Sequence, residues 1–109
     1  MKKSIALAPV LFVASGAAVN GADVKANWET QCAKCHGSDG TGDTKMGKKV
    51  GAKDYTDPKV QAEMKDDKVF KSLKEGMKEN GMVQMKGFAA VLSDDEIKAL
   101  IAHIRTFRK

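Results

Sequence analysis

The sequence predicts an all-α domain, and three observations carry that expectation. Apolar residues recur at i, i+3 and i+4 spacing through most of the chain, as a helix with one buried face requires. Helix-start signals stand ahead of two of these segments, at Asp57-Pro58 and at Ser93-Asp94-Asp95-Glu96. No run of alternating, β-branched residues of strand type interrupts them.

The first residues read as separate from the fold. Met1-Lys2-Lys3 is basic, Ile5 to Val13 is apolar, and Ala14-Ser15-Gly16-Ala17-Ala18 is small, the composition of a secretory signal peptide. Pro9 and the shortness of the apolar run argue against a membrane span. Residues 1–21 are therefore assigned to the signal, with cleavage near 21/22, and residues 22–109 to one domain without stable membrane insertion. A domain of this length is marginal at burying a core of its own.

A first helix is predicted over Asp23 to Cys35, with Val24, Trp28 and Cys32 in one i, i+4, i+8 stripe. Gly37, Gly40 and Gly42 then open a loop. Lys45, Lys48, Lys49 and Lys53 cluster in the glycine-rich stretch beyond, either as a solvated loop or as a docking surface for an acidic partner. Asp57 caps a short helix carrying Val60 and Met64, with Pro58 at its first position. Asp66 or Asp67 caps the next, whose buried stripe is Val69, Phe70, Leu73 and Met77. Asn80-Gly81 breaks the chain, and Gly81 to Gly87 reads as a loop. In the last helix Ser93 and Glu96 form a capping box, and Ile97, Leu100, Ile101 and Ile104 face the core. Arg105, Arg108 and Lys109 set positive charge at the negative end of its dipole.

The chain's two cysteines fall together in Cys32-Ala33-Lys34-Cys35-His36. This is C-x-x-C-H, the attachment signature of a c-type haem. On a helix these three side chains share a face. Two thiols can add across the vinyl groups of one haem while the imidazole reaches the iron. The expected cofactor is thus a single haem c, covalent through Cys32 and Cys35, with His36 as a metal ligand. A thioredoxin-like pair needs a βαβ context. A zinc site needs four ligands at recognisable spacing, and only His36 and His103 could join the cysteines. A plain disulfide would close a small strained ring and leave His36 unexplained.

Charge adds little. The net charge is +5 from 19 basic and 14 acidic residues; without Lys2 and Lys3 the balance is 17 to 14, and two haem propionates cancel most of the excess. Nucleic-acid binding is not expected. For the second iron face the chain offers Met46, Met64, Met77, Met82, Met85 and His103. Met64 and Met77 fall on predicted core stripes. His103 lies a quarter turn off the buried face of its helix, a helix-edge position. Met82 and Met85 sit in the loop, free to reach inward.

Trp28 four residues before Cys32, the loop Gly37-Ser38-Asp39-Gly40-Thr41-Gly42, the pair Leu92-Ser93 and the run Leu100-Ile101-Ala102-His103-Ile104-Arg105 together resemble the small bacterial class I (monohaem) cytochromes c over nearly all of residues 22–109. The resemblance implies the class I cytochrome c fold: about four short helices around one covalently bound haem, with the N- and C-terminal helices crossing. It implies Met85, eight residues before Ser93, as the sixth ligand. Met82 competes, because Lys86 stands where the family has proline. Val24 and His103 replace a glycine and an aromatic of the family at the helix crossing, which implies a Val–His contact there.

The function implied is a periplasmic electron carrier, not an enzyme, cycling a His/Met-ligated haem between Fe(III) and Fe(II). Its partners would be redox proteins, acidic at their docking surfaces if the lysine cluster serves them, and the carrier itself a monomer. The alternatives are a haem peroxidase-like enzyme or a small-ligand (gas) binder. Both need an open sixth position, and the 81–87 loop offers Gln84 and Lys86 but no histidine.

Overall fold

The computed structural model describes residues 21–109 apart from residue 80. Residues 1–20 of the expected signal peptide lie outside the described residues, and the expected cleavage point near 21/22 falls at the start of the first helix. Among the described residues six helices and one hairpin follow in order. They are α1 (Gly21–Gln31), α2 (Ala33–His36), α3 (Lys45–Val50), α4 (Pro58–Glu63), α5 (Asp66–Glu75), β1 (Gly76–Glu79), β2 (Met82–Lys86) and α6 (Asp94–Thr106). Among the described residues no helix is long and apolar enough to cross a membrane.

The terminal helices pack together, α1 against α6, and α5 lies on α6 as well. Trp28 from α1 meets Ile97, Leu100 and Ile104 from α6 in a core that Leu73 and Phe88 complete, all of them 4% exposed or less. Asn27 Nδ2 donates to Glu96 Oε2 at 3.0 Å, a polar clasp across the same pair of helices. The amphipathic stripe of α6 is therefore buried as its periodicity requires.

The start signals act where expected. Ser93 Oγ accepts from Glu96 N at 3.1 Å while Glu96 Oε1 accepts from Ser93 N at 3.0 Å, a reciprocal capping box on α6. Asp57 caps α4 by accepting from Lys59 N at 2.9 Å, with Pro58 behind it. On α5 the cap position is Lys65 rather than either aspartate. Asp66 and Asp67 occupy the first helical turn instead, where negative charge meets the positive end of the dipole.

Four further expectations are corrected. The first helix is split, because Cys32 leaves helical geometry between α1 and α2. The glycine-rich stretch is not wholly loop: Lys45, Lys48 and Lys49 ride on α3, whose cap is Thr44, accepting from Gly47 N at 2.8 Å. Residues 81–87 are not a free loop, since β2 pairs antiparallel with β1. Met77 leaves its predicted helical stripe, sits on β1 opposite Met85, and is 42% exposed.

Gly76 explains the last two. It ends α5 at φ +88°, and a Cβ there would lie 2.6 Å from Gly87 N on the returning chain. The helix must stop, and the chain turns back along itself.

Candidate functional site

The C-x-x-C-H motif begins in the turn that closes α1 and runs through α2. His36 N still donates to Cys32 O at 2.9 Å, so the i, i+4 relation survives the break. Both thiols are free; Cys32 is buried and Cys35 partly buried. Burial, with Cys35 beside it, pushes the Cys32 thiol up to about 12. Thr44 Oγ1 donates to Cys35 O at 2.7 Å, which moors α3 to the motif.

Three contacts orient His36. Its Nδ1 lies 3.3 Å from Lys53 O. A carbonyl can only accept, so this bond places the proton on Nδ1 and leaves the Nε2 lone pair for a metal. Tyr55 stacks on the imidazole face with centroids 4.7 Å apart and planes 21° from parallel. Trp28 approaches to 5.9 Å and is itself fixed by Nε1–H donating to Gly37 O at 3.0 Å. Burial, the largest influence, holds the imidazole below its ordinary pKa and favours the neutral, ligating form.

Gly42 permits this arrangement. It stands at φ +73°, its N donates to His36 O at 2.7 Å, and a Cβ would lie 2.8 Å from Ala52 O and 3.1 Å from Lys53 O. Any larger residue would push the 52–53 segment off the motif.

The candidate sixth ligands separate by burial. Met64 is buried in the core, as expected. Met85 is partly buried and packs against the core, whereas Met82 is 69% exposed at the start of β2. His103 lies over Trp28 at 5.4 Å and edge-on to Phe107 at 4.9 Å. Trp28 is thus an α1 side chain that its ring meets at the helix crossing.

The donor set suits a covalently held haem: two free thiols three residues apart, a neutral imidazole with Nε2 to spare, and a thioether against the core. Among the described residues no group of three or more His, Cys, Asp or Glu could hold a metal ion by itself. Lys53, Tyr55 and Gly42 were not singled out as orienting groups by sequence reasoning. Lys53 acts through its backbone carbonyl, which has no side-chain signal. Tyr55 is the sole tyrosine, and its distance in sequence from the motif conceals the contact.

The family profile of "Cytochrome C oxidase, cbb3-type, subunit III" matches residues 19–104. Among solved structures, KustC0563, a c-type cytochrome, is 29% identical with a TM-score of 0.66, covering 78% of this chain and 96% of its own. A tyrosine-to-phenylalanine mutant of Kustc0563 is 31% identical with a TM-score of 0.67, covering 79% and 99%. No curated protein matches the chain.

Proposed function

The chain belongs to the c-type cytochrome family of cbb3-type oxidase subunit III domains, a small monohaem cytochrome c of the class I fold, and from that premise we propose that it is a periplasmic electron carrier with a single His/Met-ligated haem c. Haem c supplies reversible one-electron Fe(III)/Fe(II) chemistry. Cys32 and Cys35 would anchor it, with His36 and Met85 as the axial ligands. Lys53 O keeps the His36 proton on Nδ1, and Tyr55 and Trp28 hold the ring in place. A thioether at Met85 is soft and favours Fe(II), which raises the potential above that of a bis-histidine site. The carrier is read as a monomer exported by residues 1–21, working without substrate chemistry.

The observation that carries the ligand choice is burial: Met85 packs on the core while Met82 points largely into solvent. Met85→Ala is expected to abolish the weak long-wavelength sulfur-to-iron band of the oxidised protein. It should also lower the reduction potential and open the iron to cyanide. Met82→Ala should leave all three unchanged. Loss of the band in Met82→Ala alone would transfer the assignment to Met82. Rapid binding of cyanide or carbon monoxide by the unaltered protein would favour the peroxidase-like or gas-binding alternatives.

A further inference from the structure

The hold on His36 extends beyond the segment that touches it. Gln61, on α4, is a polar side chain buried at 5% exposure. Its Nε2 donates to Tyr55 O at 2.7 Å and to Ile104 O at 2.9 Å. Its Oε1 accepts from Arg105 Nη1 at 2.9 Å, and the same nitrogen donates to Gln61 O at 2.7 Å. Arg105 is clamped in turn, with Nη2 donating to Met64 O at 2.9 Å and to Asp66 Oδ1 at 2.6 Å. Both amide protons and the amide oxygen of Gln61 are thus satisfied, and such a buried network has little freedom to shift.

The far end of this network is the imidazole. Tyr55 O is held by Gln61, Tyr55 N donates to Gly40 O at 2.8 Å, and the Tyr55 ring stacks on His36. Lys53, two residues earlier on the same segment, supplies the carbonyl that faces Nδ1. We propose that Gln61 is a positioning residue which, through Tyr55, sets how firmly Lys53 O holds the His36 Nδ1 proton and so how strongly His36 donates electrons to iron. The proposal rests on His36 being the haem ligand. A hydrogen bond from one ring nitrogen makes the other more basic, and a more basic ligand favours Fe(III). Loosening the 53–55 segment therefore raises the reduction potential. An apolar residue at position 61 could fill the space, but it would leave Tyr55 O without this donor in a buried site.

The test uses the haem-loaded protein as wild type, Gln61→Met, Arg105→Lys and Ser93→Ala. The last removes the cap of α6, outside the Gln61–Arg105 network, and serves as the stability control. Reduction potential and the solvent-exchange rate of the His36 Nδ1 proton, followed by NMR, are measured alongside melting. Gln61→Met is expected to shift the Fe(III)/Fe(II) equilibrium toward Fe(II) by up to about tenfold, which is about 59 mV for one electron. It should also exchange the Nδ1 proton faster. Arg105→Lys should move both in the same direction by less, and Ser93→Ala should lower the melting temperature alone. Wild-type potential and exchange in Gln61→Met would reduce Gln61 to a core anchor and overturn the proposal. Should Gln61→Met not fold, unchanged values in Arg105→Lys would overturn it equally. The ligand reading itself fails on a different result, a His36→Ala holoprotein with the wild-type spectrum.

Discussion

At Gly42 a single hydrogen in place of a side chain lets the 52–53 backbone lie against the C-x-x-C-H motif. Gly42→Ala must tolerate φ +73° and a Cβ 2.8 Å from Ala52 O. Left-handed strain of this kind costs about 1–3 kcal/mol. Denaturant unfolding of the holoprotein should show a loss of that order; wild-type stability would mean that the segment moves aside freely. Residues differ in how openly they declare such roles. Cys32, Cys35 and His36 are legible as a candidate site because the C-x-x-C-H pattern lies in side chains that stand close together in sequence. Lys53 contributes a carbonyl that any residue has, so nothing in its identity marks it. Arg105 reads as a cation complementing a helix dipole, yet its guanidinium crosses to Asp66, Gln61 and Met64. The sequence periodicity reports which face it is on, not how far a long side chain reaches.

Among the elements, α6 is held by its cap. Ser93→Ala removes the side-chain acceptor for Glu96 N and should cost about 1 kcal/mol, measured by thermal melting. Glu96 adds a pH dependence. Hydrogen bonds from Ser93 N, then Asn27, then the Ser93 side chain hold its carboxyl below the ordinary value of 4.5. Its contribution is therefore full above that value and disappears as pH falls through the lower folded one. Glu96→Ala should be less stable than wild type near neutrality and indistinguishable from it in strong acid. A gap that persists at low pH would show that the carboxylate charge is not involved. The element α3 presents Lys45, Lys48 and Lys49, all exposed, with Lys53 just beyond; the Lys48–Asp43 pair is itself too exposed to stabilise much. If these lysines steer an acidic partner, neutralising all four to Gln should flatten the salt dependence of electron transfer. Equal slopes in stopped-flow experiments would mark them as solvated surface. The capped starts of α4 and α6 were readable because a cap is local chemistry. The hairpin was not, since its pairing joins residues on both sides of a turn and no alternating run announces it.

For the whole molecule the decisive quantity is core size. The residues buried around Trp28 and α6 make a small core, and a chain of about this length is marginal without added burial. Cys32→Ser combined with Cys35→Ser should therefore abolish stable helical structure. Far-UV circular dichroism on the double variant checks this, and a cooperatively melting apo domain would contradict it. The helical class, the α6 core stripe, the helix starts at Asp57 and Ser93, and the C-x-x-C-H motif were determined by sequence alone, because each depends on residues within a few positions of one another. Tertiary structure alone decided that Met85 is sheltered while Met82 and Met77 are not, that Tyr55 stacks on His36, and that Gln61 and Arg105 lock the segment behind it. Those outcomes join residues 8 to 44 apart in sequence, from Met77 opposite Met85 to Gln61 bonded with Arg105. Local pattern can state which face of an element is apolar; only the packed chain settles what that face meets.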